Sequence, residues 1–119
     1  MKNEFVSYEM ALALKEFGFD EPCYDNYNIY GKLWGLRLNK QVKIKGACLA
    51  PTFSQAFRFF REKYRLEGAI YRLNFKWASQ VFNIEISAYC FKHELFETYE
   101  EAEINSLQKM IKIVKNKSV

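Results

Sequence analysis

Residues 71–88, YRLNFKWASQVFNIEISA, carry the reading that decides the fold. Tyr71, Leu73, Phe75 and Trp77 alternate with Arg72, Asn74 and Lys76; beyond Ala78-Ser79-Gln80, the apolar Phe82, Ile84, Ile86 and Ala88 alternate with Asn83, Glu85 and Ser87. Side chains on a strand point to opposite faces in turn, so this pattern predicts a hairpin of strands 71–77 and 82–88 joined at 78–80, with one face turned to a core. Such a sheet needs apolar helices over its inner face, and the flanking sequence supplies them.

Upstream, Ala50-Pro51-Thr52 opens a helix in which Phe53, Ala56, Phe57, Phe60 and Tyr64 recur at helical spacing, with Gly68 as its stop. Downstream, Thr98-Tyr99-Glu100-Glu101 is a capping box that starts an amphipathic helix over 98–116. Its inner face carries Ile104, Leu107, Ile111 and Val114, and Lys109, Lys112, Lys115 and Lys117 sit toward its negative C-terminal end. Near the N-terminus, Ser7 is placed to cap a helix over 7–17 that Gly18 ends, and 19–28 reads as a loop. In the 29–38 stretch Tyr30, Trp34, Leu36 and Leu38 share a face and Gly31 and Gly35 lie on the other. Val42 and Ile44 then alternate with Lys43 and Lys45, which predicts a second hairpin.

The three helix starts, Ser7-Tyr8-Glu9-Met10-Ala11, Thr52-Phe53-Ser54-Gln55-Ala56 and Thr98-Tyr99-Glu100-Glu101-Ala102, are spaced by 45 and 46 residues. The chain therefore reads as αββ repeats over 7–49 and 52–89 with a closing helix over 98–116. Duplication of a helix-hairpin unit and the general preference of capping chemistry for this pattern both account for it. Either way the expectation is one domain over residues 1–119, of the α+β class. It is a two-layer sandwich of three helices on a four-stranded antiparallel sheet, in the order αββαββα.

Half of the 119 residues are hydrophobic and 18% are aromatic, with five glycines and two prolines, which marks a packed globular chain. No stretch is long and apolar enough to span a bilayer, and the opening MKNEFVSYE is charged where a signal peptide is apolar, so a cytoplasmic protein with no membrane partner is expected. Cys23, Cys48 and Cys90 are odd in number and widely spaced, which predicts reduced, mostly buried thiols in place of a disulfide framework or a zinc site.

Catalytic patterns are missing from the sequence. His93 is the single histidine and sits in Phe-Lys-His-Glu-Leu, a strand-to-helix loop; no serine lies in a nucleophile elbow, and neither phosphate-binding glycine motif occurs. Glu97, Glu100, Glu101 and Glu103 suit a helix N-terminus and lack the spacing of metal ligands. A non-enzymatic protein with no cofactor or metal is expected. The charge distribution points to binding instead. Residues 1–30 hold two basic and six acidic side chains, residues 31–80 hold eleven and two, and residues 81–119 hold five and six. Lys43, Lys45, Arg58, Arg61, Arg65, Arg72 and Lys76 are the candidate binding residues, because planar guanidinium groups pair with phosphate and carboxylate oxygens. Tyr30, Trp34, Tyr71 and Trp77 would add base stacking wherever they are exposed, although alternation places Tyr71 and Trp77 with the core-facing residues.

Three stretches, FVSYEMALALKEFGFDEPC at 5–23, LAPTFSQAFRFFREKYRL at 49–66 and ETYEEAEINSLQKMIKIVK at 97–115, resemble a group of small accessory proteins encoded by bacteriophages and prophages of Bacteroidota-type bacteria. The resemblance covers about half of the chain and carries over no functional residues. It implies a phage-borne gene product in the cytoplasm of a bacterial host, acting by stoichiometric binding to a host or defence-system protein or nucleoprotein, for example as an anti-CRISPR-like inhibitor. Direct binding of nucleic acid through the basic residues is the alternative, and a sponge for a small molecule or signal nucleotide is a third reading.

Overall fold

The computed structural model describes residues 4–117 and contains three helices and six short to medium strands. Element order is α1 (Tyr8–Glu16), β1 (Asn26–Tyr27), β2 (Cys48–Leu49), α2 (Phe53–Tyr64), β3 (Leu66–Leu73), β4 (Lys76–Asn83), β5 (Ala88–Tyr89), β6 (Glu94–Phe96) and α3 (Tyr99–Lys117). The class is α+β with antiparallel pairing throughout, as expected. The single four-stranded sheet and the αββαββα order are corrected. Strands β1 and β2 form a sheet of two, while β3, β4, β5 and β6 form a separate sheet of four in which β4 pairs with each of the others. The chain divides into two compact units between Ala56 and Phe57, inside α2.

In the first unit α1 begins and ends as its sequence dictates. The Ser7 hydroxyl accepts the Met10 N–H at 3.3 Å. Gly18 then takes the left-handed conformation (φ 94°), while Phe19 N–H and Gly18 N–H bond back to the Leu14 and Lys15 carbonyls at 2.9 and 3.1 Å. That double closure satisfies carbonyls the helix leaves open and turns Phe19 into the core, where it is buried. The strands expected at 29–38 and 42–45 are absent. Gly31 and Gly35 have φ values of 76° and 70°, a region side-chain-bearing residues avoid, so the ladder cannot run through them. The pairing moves to Asn26–Tyr27 against Cys48–Leu49, with isolated bridges Tyr27↔Leu33 and Cys23↔Leu38.

Helix α2 starts at a second capping box, in which the Thr52 hydroxyl accepts the Gln55 N–H at 3.2 Å and the Gln55 side-chain oxygen accepts the Thr52 N–H at 3.0 Å. Phe53, Ala56, Phe59 and Phe60 are its buried side chains, and the expected Phe57 and Tyr64 are only half-buried. The helix ends at Arg65, which is left-handed (φ 57°), and not at Gly68. Gly68 lies within β3 instead. A Cβ there would stand 2.9 Å from the Phe57 ring and 3.1 Å from the Met110 methyl, so glycine is what lets the sheet approach both side chains.

The hairpin of the second unit is real but displaced. Its pairs run from Leu66↔Asn83 to Leu73↔Lys76, so the loop is Asn74-Phe75, both with positive φ (52° and 66°), as a type I′ turn requires. Ala78-Ser79-Gln80, expected as the turn, is the buried middle of β4. The polar pair is accommodated there by bonds: Ser79 Oγ lies 2.7 Å from Ser106 Oγ and donates to Asn105 Oδ1 at 3.0 Å, and Gln80 Oε1 accepts the Tyr71 hydroxyl at 2.9 Å. The strand expected over 82–88 stops at Asn83, whose Oδ1 accepts the N–H groups of Glu85 and Ile86, leaving Ile84 and Ile86 exposed on a turn. Short β5 and β6 then add to β4, β6 arising from residues expected to be a loop.

The capping box of α3 forms as expected, Thr98 N–H to Glu101 Oε1 and Glu101 N–H to Thr98 Oγ1, each at 3.1 Å. The inner face of α3 carries Ala102, Ser106, Leu107, Met110, Ile111 and Val114; Ile104, expected among them, is exposed. Among the described residues no helix is long and apolar enough to cross a membrane.

Candidate binding surface

The seven cations singled out in the sequence are all exposed. Lys43 and Lys45 belong to the first unit; Arg58, Arg61, Arg65, Arg72 and Lys76 belong to the second. Arg58, Arg61 and Arg65 rise from α2 and its C-terminal turn, and Arg61 Nη1 lies 3.3 Å from Glu67 Oε2. The Arg72 guanidinium sits 5.0 Å over the Trp77 ring, its cross-strand neighbour. Lys76, beside the hairpin turn, donates to Glu97 at 2.8 Å, a bond that raises the lysine pKa and lowers that of the carboxylate. Arg61, Arg72 and Lys76 therefore already face a carboxylate or a ring.

Lys43 and Lys45 have different surroundings. From residue 26 to residue 61 the sequence holds no Asp or Glu, and the 24–46 segment carries Lys32, Arg37, Lys40, Lys43 and Lys45 against a single acidic residue, Asp25. Three of the four aromatic side chains of this segment are exposed, Tyr24 at 71%, Tyr30 at 80% and Trp34 at 59% accessible, while Tyr27 is buried. Arg37 lies 5.3 Å over the Tyr24 ring. Large exposed aromatics among cations of one sign are the chemistry of a contact surface, because a packed protein gains by burying such rings.

Several fixed bonds hold these side chains out. Asp25 Oδ1 accepts three backbone N–H groups, from Asn26, Trp34 and Gly35, at 2.8, 3.1 and 2.6 Å. Asn28 Oδ1 accepts those of Tyr30 and Lys32 at 2.9 and 3.1 Å, closing the turn that presents Tyr30. Cys23 and Leu38 exchange both backbone bonds at 2.9 and 3.1 Å at the base of the segment. Tyr8 of α1 ties two parts of it together. A Cβ on Gly31 would fall 2.8 Å from the Tyr8 ring, and the Tyr8 hydroxyl donates to the Gly46 carbonyl at 2.6 Å. A Cβ on Gly46 would in turn stand 3.8 Å from Ile29, so the turn at 28–31 and the loop at 43–46 lie side by side. From the last turn of α1, Lys15 Nζ donates to the Ile44 and Ala47 carbonyls at 3.0 and 2.7 Å and fixes the loop. An open depression of about 490 Å³ lies beside it, lined by Leu12, Lys15, Glu16, Lys45 and Gly46.

Burial pushes the Cys23 thiol up to about 12 and the Cys48 thiol up to about 11, so both are neutral at physiological pH. The third thiol, Cys90, is exposed, so the expectation of mostly buried cysteines holds for two of three. His93 is half-buried in the loop before β6. Among the described residues no group of three or more His, Cys, Asp or Glu is placed to hold a metal ion.

Sequence reasoning found Lys43 and Lys45 and named Tyr30 and Trp34 as stacking candidates, but it placed all four on strands. It missed Tyr8, Lys15, Lys32, Arg37 and Lys40. The acid-free run from 26 to 61 was the readable signal for the last three; the anchoring roles of Tyr8 and Lys15 depend on long-range contacts that leave no local pattern. No family model, curated protein or solved structure matches this chain.

Proposed function

We propose that the protein acts by stoichiometric binding and not by catalysis, using the aromatic and basic segment 24–46 against an anionic host protein or nucleoprotein. The observation that carries this reading is the exposure of Tyr24, Tyr30 and Trp34 among five cations, in a segment whose single acidic residue, Asp25, is engaged by three backbone N–H groups and whose backbone is also tied down by Asn28, Tyr8 and Lys15. Aromatic and arginine side chains are what partner surfaces bury most profitably, and a uniformly positive surface speeds encounter with a negative one. Preorganisation adds to this, since a loop already fixed in the free protein loses little freedom on binding. Arg58, Arg61, Arg65, Arg72 and Lys76 are candidate contacts of the second unit taken by itself, weaker where a carboxylate or ring already faces them. The resemblance to phage accessory proteins fits a role as an inhibitor of a bacterial defence system in the host cytoplasm.

The test is affinity purification from a bacterial host lysate with the intact protein and with a Tyr30→Ala/Trp34→Ala variant. Recovery of one acidic protein or nucleoprotein in a fixed ratio by the intact protein, lost in the variant and at raised salt, supports the reading. Equal recovery by both proteins refutes the surface, and no macromolecule recovered by either refutes the binding role.

A further inference from the structure

We infer that the segment 24–46 is a platform for single-stranded nucleic acid, with unpaired bases stacking on Tyr30 and Trp34 and the flanking lysines meeting the phosphates. The inference rests on the binding role proposed above and names the partner chemistry of the same surface.

Three features favour an unpaired strand over other polyanions. Tyr30 is 80% accessible and Trp34 59%, so ring surface is free for a partner, and every base has a π-face to place on it. In a duplex those faces are already stacked, so exposed rings add nothing to duplex binding. Second, the cations are interleaved with the aromatics along the chain, Lys32 between Tyr30 and Trp34 and Arg37 after them, which matches the alternation of base and phosphate in a strand. The loop with Lys43 and Lys45 lies beside the turn that presents Tyr30, because Gly46 and Ile29 are neighbours. Third, Lys32, Arg37, Lys40, Lys43 and Lys45 outnumber the acidic side chains beside them, which are Asp25 within the segment, Glu16 near Lys45 and Asp20 near Lys40 and Lys43. A folded protein partner presents mixed charges and calls for mixed ones in return, whereas a phosphate backbone is negative at every step.

The assay is fluorescence anisotropy with a labelled 20-mer of thymidine, the matching duplex, and polyglutamate as a non-nucleic polyanion, with tryptophan emission recorded in parallel. The 20-mer is expected to bind at least about 10-fold more tightly than the duplex and to quench emission from Trp34, a sign of stacking that charge attraction alone does not produce. Tyr30→Ala and Trp34→Leu are each expected to weaken binding about 5- to 150-fold, the range for loss of one stacked base. With up to five phosphates neutralised, log K should fall with log salt at a slope of up to about −3.5, and Lys45→Ala should reduce that slope by about 0.7. Both aromatics are exposed, so the variants keep their fold, which circular dichroism checks. Duplex binding as tight as the single strand, or single-strand binding unchanged in both aromatic variants, overturns the inference. Polyglutamate binding that is lost in those variants while the 20-mer fails to bind also overturns it, and leaves the proposed role with an acidic polypeptide as partner. Absence of binding to all three polymers overturns it as well.

Discussion

Replacement of Gly31 by alanine tests whether the turn presenting Tyr30 is pressed against α1. Two separate costs apply. The first is conformational: Gly31 has a φ of 76°, and an alanine held in the left-handed region loses about 1–2 kcal/mol. The second is steric: the new methyl would lie 2.8 Å from Tyr8 Cδ2 and 3.1 Å from Cγ, closer than van der Waals contact allows. The Tyr8 ring has little freedom to move aside, because its hydroxyl is bonded to the Gly46 carbonyl at 2.6 Å and its edge packs on Tyr27 with centroids 5.5 Å apart. Overpacking at such a site costs about 1–3 kcal/mol, so the total is about 2–5 kcal/mol. Gly35 supplies the control. Its φ is 70°, nearly the same, but a Cβ there meets nothing within 4 Å, so Gly35→Ala should cost only the conformational part. In urea unfolding, with a slope of roughly 2 kcal/mol/M, the midpoint should fall by roughly 1–2.5 M for Gly31→Ala and by roughly 0.5–1 M for Gly35→Ala. Removing the ring in Tyr8→Ala should cancel the steric part, so that Gly31→Ala in that background costs no more than Gly35→Ala in the parent. Equal costs for Gly31→Ala and Gly35→Ala in the parent would refute the close approach, and with it the account of how the turn and the basic loop are held together.

Other expectations concern the second unit and the thiols. Ser79→Ala should destabilise by about 1–3 kcal/mol because it leaves the buried Ser106 hydroxyl short of its 2.7 Å partner, and the double replacement with Ser106→Ala should cost less than the sum of the two single ones in a double-mutant cycle; strict additivity would show that the two hydroxyls do not interact. Phe75→Gly should stabilise by about 1 kcal/mol in chemical denaturation, since the Phe75 side chain is 93% exposed and its φ of 66° suits glycine; a loss of stability would mean that Phe75 packs in solution. With a chromogenic disulfide reagent at pH 8, Cys90 should react at once and Cys23 and Cys48 only on unfolding, and a burst of more than one thiol would contradict their burial. Burial raises the Cys23 and Cys48 pKa values from 9.0 to about 12 and about 11, so the unfolded chain releases these protons first as pH rises. Stability should therefore be intact below pH 9 and fall above it, by about 1 kcal/mol per thiol at pH 10, and Cys48→Ala should show a shallower decline by thermal melting.

How far the sequence could be read follows from where each element takes its instructions. Helix starts are local: Ser7, Thr52 and Thr98 all cap, since a hydroxyl three residues before a free N–H needs no distant partner, and α1 and α3 fall where that chemistry puts them. Strand boundaries are not local. The turn at Asn74-Phe75 carries only half of the usual Asn-Gly signal, and Ala78-Ser79-Gln80 imitates a turn because the partners of Ser79, Asn105 and Ser106, lie 26 and 27 residues further on. The segment 29–38 misled more deeply. Tyr30, Trp34 and Leu36 have the composition of a core strand, yet they are exposed, because Gly31 and Gly35 bend the chain out of extended geometry and Asp25 and Asn28 take up the backbone bonds a ladder would have used. A hydrophobic pattern tells which residues gain from leaving water, but not whether this chain or a partner removes them from it. Where propensity asks for burial and the backbone is held so as to deny it, the conflict is of the kind expected at functional or strained sites, which is why the proposed binding role is placed here. The test of that step is the same pair of side chains: if Tyr30→Ala and Trp34→Leu leave every binding reaction and the stability of the protein unchanged, the exposure of this segment has no consequence.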